Sequence, residues 1–128
     1  MKILGIGVDI VENKRIQKSL KNPLLKKRIY SSKELKQSNA VNNKVAYFSK
    51  RFAAKEAFSK ALGTGFRINL NFKDIEVVNN KVGKPYYVKN KKITKIIQKN
   101  FKIKNFKCFL SISDEKNYST AFAIIQTS

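Results

Sequence analysis

The chain has 128 residues, of which 28 are lysine or arginine and 8 are aspartate or glutamate, so its net charge is +20. This length fits one domain with a buried core, and a hydrophobic content of 42% argues against disorder. Histidine is absent and Cys108 is the only cysteine, which excludes histidine-based triads, histidine metal sites and internal disulfides. A metal bound here should therefore be a hard cation with oxygen ligands, such as Mg²⁺.

The positive charge favours an anionic partner, such as a nucleic acid, a membrane surface, an acidic protein or phosphate groups. The apolar run at the N-terminus is interrupted by Asp9 and Glu12 and is too short to span a membrane. No small-residue cleavage site follows it. We expect a single domain over residues 1–128, located in the cytoplasm.

Residues 2–11 predict a strand, because every even position from Leu4 onward is apolar. The opposite face is nearly bare of side chains, with Gly5 and Gly7 leading to Asp9. Glycine in a strand marks the close approach of a ligand or of another backbone. We interpret this face as leading to a functional site at the end of the strand. The alternative is that the glycines let a helix pack closely and that Asp9 caps the next turn.

Residues 12–30 form a basic segment, and no acidic residue lies between Glu12 and Glu34. We predict one or two short helices here, broken near Pro23, because proline is not tolerated inside a helix. The sequence SSKELKQS from Ser31 predicts a further helix, because it begins with a capping residue.

Residues 42–62 predict the long helix of the fold. One apolar row at helical spacing includes Phe48 and Phe52, and a second row runs beside it, so much of this helix should be buried. The sequence GTG at 63–65 predicts its end.

The remaining segments predict strands and one more helix. The helix covers about 94–100, and the strands cover 74–79, 85–89, 105–113 and 117–126. The last two strands are joined by the short sequence DEK and should form a hairpin. This order predicts an α+β fold with a mainly antiparallel sheet packed on the long central helix and shorter helices.

Glu56 is the one acidic residue in the basic segment KRFAAKEAFSKALGTG. It lies one turn beyond Phe52, so its side chain should point partly inward. A surface ion pair with Lys60 would be worth only about 0.3–0.5 kcal/mol. A half-buried carboxylate is costly unless it is paired or binds a metal. The alternative is therefore a Mg²⁺ site formed with Asp9, in which Lys60 and Arg51 neutralise bound phosphate groups.

Four motifs occur in an order that resembles the holo-acyl-carrier-protein synthases, the small bacterial class of phosphopantetheinyl transferases. They are GIGVDIVENKRI, RFAAKEAFSKALGTG, GKPYY and SISDEKNYSTAFAII, and the resemblance covers nearly the whole chain. It implies the phosphopantetheinyl transferase fold and a homotrimer with active sites at subunit interfaces. It also implies Mg²⁺-dependent transfer of the 4′-phosphopantetheine arm of coenzyme A to a serine of apo acyl carrier protein, in support of fatty acid biosynthesis.

The resemblance implies roles for individual residues. Asp9 and Glu56 fall on the Mg²⁺ ligands, and Lys60 falls on the lysine that contacts the pyrophosphate, so these three are the expected catalytic residues. Asp114 stands where many members have histidine and cannot make a cationic contact to a phosphate. The expected coenzyme A site comprises Arg51, Lys55, Lys60, Gly63, Gly65, Lys84, Pro85 and Ser113.

The basic segment is then expected to bind the acidic helix of the carrier protein. The residues expected at this contact are Arg15, Lys18, Lys21, Leu24, Leu25 and Arg28, with Lys26 and Lys27 beside them. A competing interpretation is a non-enzymatic nucleic-acid-binding module, for which the net charge is the main support. The sequence contains no recognised nucleic-acid-binding motif, and this interpretation does not explain Asp9 and the glycines that precede it.

Overall fold

The computed structural model describes residues 1–64 and 69–128, which form an α+β fold. In chain order the elements are β1 (Ile3–Glu12), α1 (Asn13–Ser19), α2 (Pro23–Ile29), α3 (Ser32–Ser38), α4 (Lys44–Leu62), a 3₁₀ turn (Phe72–Asp74), β2 (Val77–Asn79), β3 (Pro85–Tyr87), α5 (Lys91–Phe101), β4 (Phe106–Asp114) and β5 (Tyr118–Thr127). All strand pairings among these residues are antiparallel, with one sheet in the order β1-β5-β4 and a second formed by β2 and β3. The predicted fold class is confirmed.

Local sequence signals explain where the helices begin. Pro23 is the first residue of α2, and the side chain of Asn22 accepts hydrogen bonds from the first turn. Ser31 and Glu34 form a capping box at α3. Helix α5 begins three residues before the predicted position, because Asn90 caps it by accepting from Ile93 N.

The segment before β2 differs from the prediction. Residues 72–74 form a 3₁₀ turn, so β2 is limited to Val77–Asn79, and β3 ends at Tyr87. The sequence pattern predicted a longer strand at 74–79 because Ile75 and Val77 are apolar at alternate positions, but the beginning of this segment belongs to the 3₁₀ turn.

The glycine face of β1 packs directly on α4. A Cβ atom on Gly5 would overlap the carbonyl oxygen of Ala61, and one on Gly7 would overlap the carbonyl oxygen of Ala57. The two backbones can approach this closely only because both strand positions lack side chains. Both glycines therefore serve helix packing, and they bring the end of β1 against the middle of α4.

The other face of the main sheet is open. Ile6, Val8 and Ile10 on β1 are 55%, 55% and 66% exposed, and Phe122 and Phe109 on the neighbouring strands are 41% and 46% exposed. The pairing register places these side chains on one face, opposite α4. An apolar surface of this extent on a folded chain is typical of an interface.

No helix in the described part of the chain is long and apolar enough to cross a membrane.

Candidate active site

Asp9 lies on the inner face of β1, beside α4. Thr120 on β5 donates its hydroxyl hydrogen to the backbone oxygen of Asp9 at 2.8 Å, which fixes the strand at this point. Lys60 donates to Asp9 Oδ1 at 3.1 Å and to the backbone oxygen of Val8 at 3.0 Å. The Asp9 side chain is 15% exposed, so its carboxylate is largely enclosed yet still reached by solvent.

Glu56 faces the same region from α4. Its side chain is half-buried, as its position on the helix predicted. Burial raises the pKa of the Glu56 carboxyl, and the charge of Asp9 raises it further, while Lys60 and Arg15 act in the opposite direction. The structure therefore brings Asp9, Glu56 and Lys60 together. The ion pair that the sequence suggested was between Lys60 and Glu56, whereas the structure has a salt bridge between Lys60 and Asp9.

The two carboxylates fit a hard divalent cation. Among residues 1–64 and 69–128 no group of three or more acidic, histidine or cysteine side chains could hold a metal ion, so a cation at Asp9 and Glu56 would need further ligands from outside these side chains. Mg²⁺ often takes one or two carboxylates and completes its shell with water and phosphate oxygens. Burial first, and the charge of Asp9 second, raise the pKa of the Glu56 carboxyl, and a divalent cation bound between the two carboxylates would oppose both effects.

A second group of predicted residues lies at the β2–β3 hairpin. Arg51 on α4 is buried, stacks on the ring of Tyr47 at 3.7 Å and donates to Asn79 Oδ1 at 3.3 Å. Its Nε atom is buried without a hydrogen-bond partner. Asn79 pairs with Pro85 across the hairpin. Lys84, the residue before Pro85, has an exposed side chain. Arg51 therefore contacts the hairpin through Asn79, while Lys84 and Pro85 lie at its turn, and we refer to these three residues as one group.

The other predicted coenzyme A residues are spread over the fold. Gly63 ends α4 in the left-handed conformation, with φ of 80°, one turn beyond Lys60. Ser113 and Asp114 are exposed at the end of β4, which is separated from β1 by β5. Gly65 lies outside the described residues.

Lys55 is placed inside the protein. Its ammonium group is fully buried and donates to Glu34 Oε1 at 2.8 Å, to Phe72 O at 3.0 Å and to Ile75 O at 2.6 Å. An ammonium group has three protons, and protein acceptors take all three. This geometry argues against a direct contact between Lys55 and coenzyme A. The sequence motif around Glu56 does not indicate that Lys55 is buried, because the burial of Lys55 depends on its contacts with α3 and with the segment before β2.

The expected docking surface is exposed. Arg15, Lys18, Lys21, Leu24, Leu25 and Arg28 all lie in α1, α2 or the connection between them, with Leu24 72% exposed. Lys26 is the exception among the neighbouring cations, because it is half-buried with its ammonium group 5.1 Å from the centre of the Phe48 ring.

An open cleft of about 940 Å³ lies between these helices, α4 and the 3₁₀ turn. Its walls include Arg15 and Arg28 on one side and Phe52 and Phe72 on the other, whose rings stack at 5.4 Å. Phe52 is one turn before Glu56, and Arg15, whose charge acts on the Glu56 carboxyl, lines the cleft, so the cleft lies on the Arg15 side of Glu56. The sequence did not single out Phe72, because its partner on α4 is distant along the chain.

Comparison with known proteins places the chain in a family. Residues 5–123 match the family model described as the 4′-phosphopantetheinyl transferase superfamily. The holo-[acyl-carrier-protein] synthase of Pelagibacter ubique is 64% identical over 126 residues, covering 98% of each chain. That of Fusobacterium nucleatum is 42% identical over 123 residues, covering 96% of this chain and 98% of the relative.

Solved structures of similar proteins support the same family assignment. The crystal structure of a holo-(acyl-carrier-protein) synthase from Bacillus anthracis, in complex with coenzyme A (3′,5′-ADP), has a TM-score of 0.82 at 33% identity and covers 100% of both chains. The structure of the synthase from Neisseria meningitidis has a TM-score of 0.88 at 35% identity and covers 98% of this chain and 99% of that one. The chain therefore belongs to the 4′-phosphopantetheinyl transferase superfamily and, within it, to the holo-[acyl-carrier-protein] synthases.

Proposed function

We propose that the protein transfers the 4′-phosphopantetheine arm of coenzyme A to a serine hydroxyl of apo acyl carrier protein, giving the holo carrier protein and adenosine 3′,5′-bisphosphate. The observation that carries this proposal is the Asp9–Glu56 carboxylate pair beside Lys60, in a chain of this family. The names of the relatives and the coenzyme A complex of the Bacillus anthracis enzyme support both substrates. Membership of an enzyme family argues against the alternative of a nucleic-acid-binding module.

Asp9 and Glu56 would hold Mg²⁺. When bound there, the ion supplies positive charge that stabilises the pyrophosphate oxygens as the leaving group departs. Lys60 already lies on Asp9 Oδ1 and is half exposed, so it can move to donate to a phosphate oxygen. This explains why a single acid lies among the cations of α4.

Asp9 is also the proposed acceptor of the serine proton. As the serine oxygen forms its bond to the phosphorus of the pantetheine phosphate, the bond from that phosphorus to the bridging oxygen breaks. The proton passes to the Asp9 carboxylate, either directly or through water. If Asp9→Asn retained both Mg²⁺ binding and near-normal turnover, Asp9 would not be the proton acceptor.

The nucleotide of coenzyme A is proposed to bind at the group formed by Arg51, Lys84 and Pro85. Lys84 offers an exposed ammonium group, and Arg51 retains an unpartnered Nε–H. A bound phosphate would accept from the exposed Lys84 ammonium group, whereas the Arg51 Nε–H is enclosed in the protein. Gly63, Gly65 and Ser113 remain proposed contacts, whereas Lys55 is left out because its protons are used inside the protein.

Homotrimerisation would bring the two groups of residues together. The open apolar face of β1, β4 and β5 needs a partner, and we propose neighbouring copies of this chain. Lys84 and Pro85 border that face, since they line a cleft with Phe109 and Phe122. The carboxylates of one subunit could thus meet the hairpin of the next. Mixed trimers of Glu56→Gln and Lys84→Glu chains should then regain part of the activity that each variant lacks alone, and no regain would oppose a shared site.

The basic surface of α1 and α2 is proposed to bind the acidic carrier protein. Opposite charge on the two partners raises the association rate and makes binding sensitive to salt. We place the enzyme in the cytoplasm and its product in fatty acid biosynthesis, as the resemblance implied.

The test is the intact mass of apo acyl carrier protein after incubation with the protein, coenzyme A and Mg²⁺. We expect a gain of one phosphopantetheine arm, and we expect EDTA to abolish it. A folded protein that gives no gain with excess Mg²⁺ would refute the proposed reaction.

A further inference from the structure

The buried ion pair between Lys55 and Glu34 connects three parts of the chain. Both side chains are fully buried, and Lys55 Nζ lies 2.8 Å from Glu34 Oε1. Lys55 also donates to the backbone oxygens of Phe72 and Ile75, on either side of the end of the 3₁₀ turn. The ammonium group therefore holds this turn against α4.

Glu34 completes the connection from α3. Its Oε1 accepts from Ser31 N at 2.8 Å, and its Oε2 accepts from Val77 N at 2.9 Å, at the start of β2. The two charged side chains thus hydrogen-bond to backbone groups at both ends of the segment from Phe72 to Val77. The opposite charges and hydrogen bonds satisfy the pair, so it is not an isolated charge in the interior.

The segment held in this way forms a wall of the cleft beside the active site. Leu70, Asn71, Phe72 and Lys73 line the cleft, opposite residues of α1 and α2 that are expected to bind the carrier protein. The Phe72 ring stacks on Phe52 at an interplanar angle of 17°. A shift of the segment would therefore change the width of the cleft, whereas Asp9 and Glu56 lie on other elements, β1 and α4.

A buried ion pair is weak evidence for stability. Replacement of such a pair by apolar residues of similar volume is often neutral or stabilising, because removing the charges also removes their desolvation cost. A role in fixing one arrangement of the backbone accounts for this pair better than a contribution to stability does.

We propose that Lys55 and Glu34 are positioning residues, which fix the 70–73 wall of the cleft in the position that receives the carrier protein. This inference rests on the proposed function. Loss of the pair should weaken binding of the carrier protein while leaving binding of coenzyme A intact, because Lys84 and Pro85 lie at the turn of the β2–β3 hairpin beside Phe109, whereas Glu34 bonds to Val77 at the opposite end.

The test is steady-state kinetics of the Glu34→Gln/Lys55→Met double variant, in which both charges are removed so that neither remains buried alone. We expect KM for the carrier protein to rise about five- to tenfold, because the charge-assisted hydrogen bond from Lys55 to Phe72 O in the wall is lost, together with the bond to Ile75 O just after it. We expect kcat and KM for coenzyme A to stay within about twofold of wild type. Tyr30→Phe is the matched control, since it removes the buried hydrogen bond to Phe48 O but keeps the aromatic ring beside Lys55 and the hydrogen bonds of the Lys55–Glu34 pair. It should lose stability but keep the wild-type KM for the carrier protein.

Phe72→Leu provides a second route if the double variant does not fold. It removes the stack on Phe52 and should also raise KM for the carrier protein selectively. An unchanged carrier-protein KM in a folded variant, or an equal rise in both KM values, would overturn the proposal. A wild-type protein that transfers no phosphopantetheine would instead refute the proposed function, so the two failures are distinguishable.

Discussion

Gly7→Ala should damage both stability and activity, because the close approach of β1 to α4 positions the carboxylates. A Cβ atom at residue 7 would lie 1.8 Å from Ala57 O, whereas real contacts of this kind are at least 3.0 Å. The helix would have to retreat by about 1.2 Å at this point. Ala57 is adjacent to Glu56, so the same movement would separate Glu56 from Asp9.

The expected losses follow from this displacement. Overpacking against a rigid backbone costs about 1–3 kcal/mol and occasionally more, and we expect Gly7→Ala to reach about 3 kcal/mol. A misplacement of about 1 Å at a reacting centre can cost about 100-fold in rate, so kcat should fall by about that factor. The measurements are thermal unfolding and the rate of holo carrier protein formation, made at a temperature where the variant is folded.

Gly83→Ala is the control for the substitution itself. Gly83 has φ of 86°, and a Cβ atom there would contact nothing within 4 Å. Alanine at this position should cost about 1–2 kcal/mol from backbone strain, with no displacement of α4. A Gly7→Ala protein with the stability and rate of wild type would refute the reasoning that the glycine contact sets the distance between Asp9 and Glu56.

Three further predictions concern other surfaces and charges. In EDTA, Glu56→Gln should be more stable than wild type at pH 7, because the pKa of Glu56 is raised in the folded protein and its ionisation therefore opposes folding. The wild-type protein keeps its full stability below the pKa that Glu56 has in the unfolded chain and loses stability as pH rises through the pKa in the folded protein. In paired unfolding curves the difference between the two proteins should therefore vanish near pH 4. Val8→Lys should dissociate the proposed trimer into monomers by placing a charge on the open apolar face, and a variant that light scattering still shows as a trimer would count against that interface. Charge reversal at Lys21 and Arg28 together should raise KM for the carrier protein and leave coenzyme A affinity nearly unchanged, whereas an equal loss of both would exclude a docking role.

Most of the fold could be predicted from local signals. The alternation in β1, the proline at the start of α2, the capping box at Ser31 and the double apolar row of α4 each depend on neighbours a few residues apart. The limits of β2 and the start of α5 were less predictable. They depend on the 3₁₀ turn at Phe72–Asp74 and on the Asn90 cap.

The orientation of β1 could not be read from its alternation alone. The apolar row of Ile6, Val8 and Ile10 resembles a core face, yet it is exposed, and the bare glycine face packs on α4. A strand with one glycine face and one apolar face can bury either one, depending on how closely a helix approaches. The structure bears out the packing alternative for Gly5 and Gly7, and the functional site at Asp9 stays a prediction that this packing allows, because it brings β1 against α4.

The candidate site was predictable where residues lie one helical turn apart and less so where it depends on tertiary contacts. The half-buried position of Glu56 followed from its place after Phe52. The pairing of Lys60 with Asp9 did not follow, because it spans 51 residues of sequence. The burial of Lys55 likewise depends on Glu34, which the sequence pattern around Glu56 does not include.

Calorimetric titration of Mg²⁺ into the protein with coenzyme A bound tests the central claim, that Asp9 and Glu56 together hold the metal. We predict one ion per subunit for wild type and loss of that binding in the folded Asp9→Asn/Glu56→Gln double variant. Binding of Mg²⁺ to the double variant with wild-type affinity and stoichiometry would contradict the account.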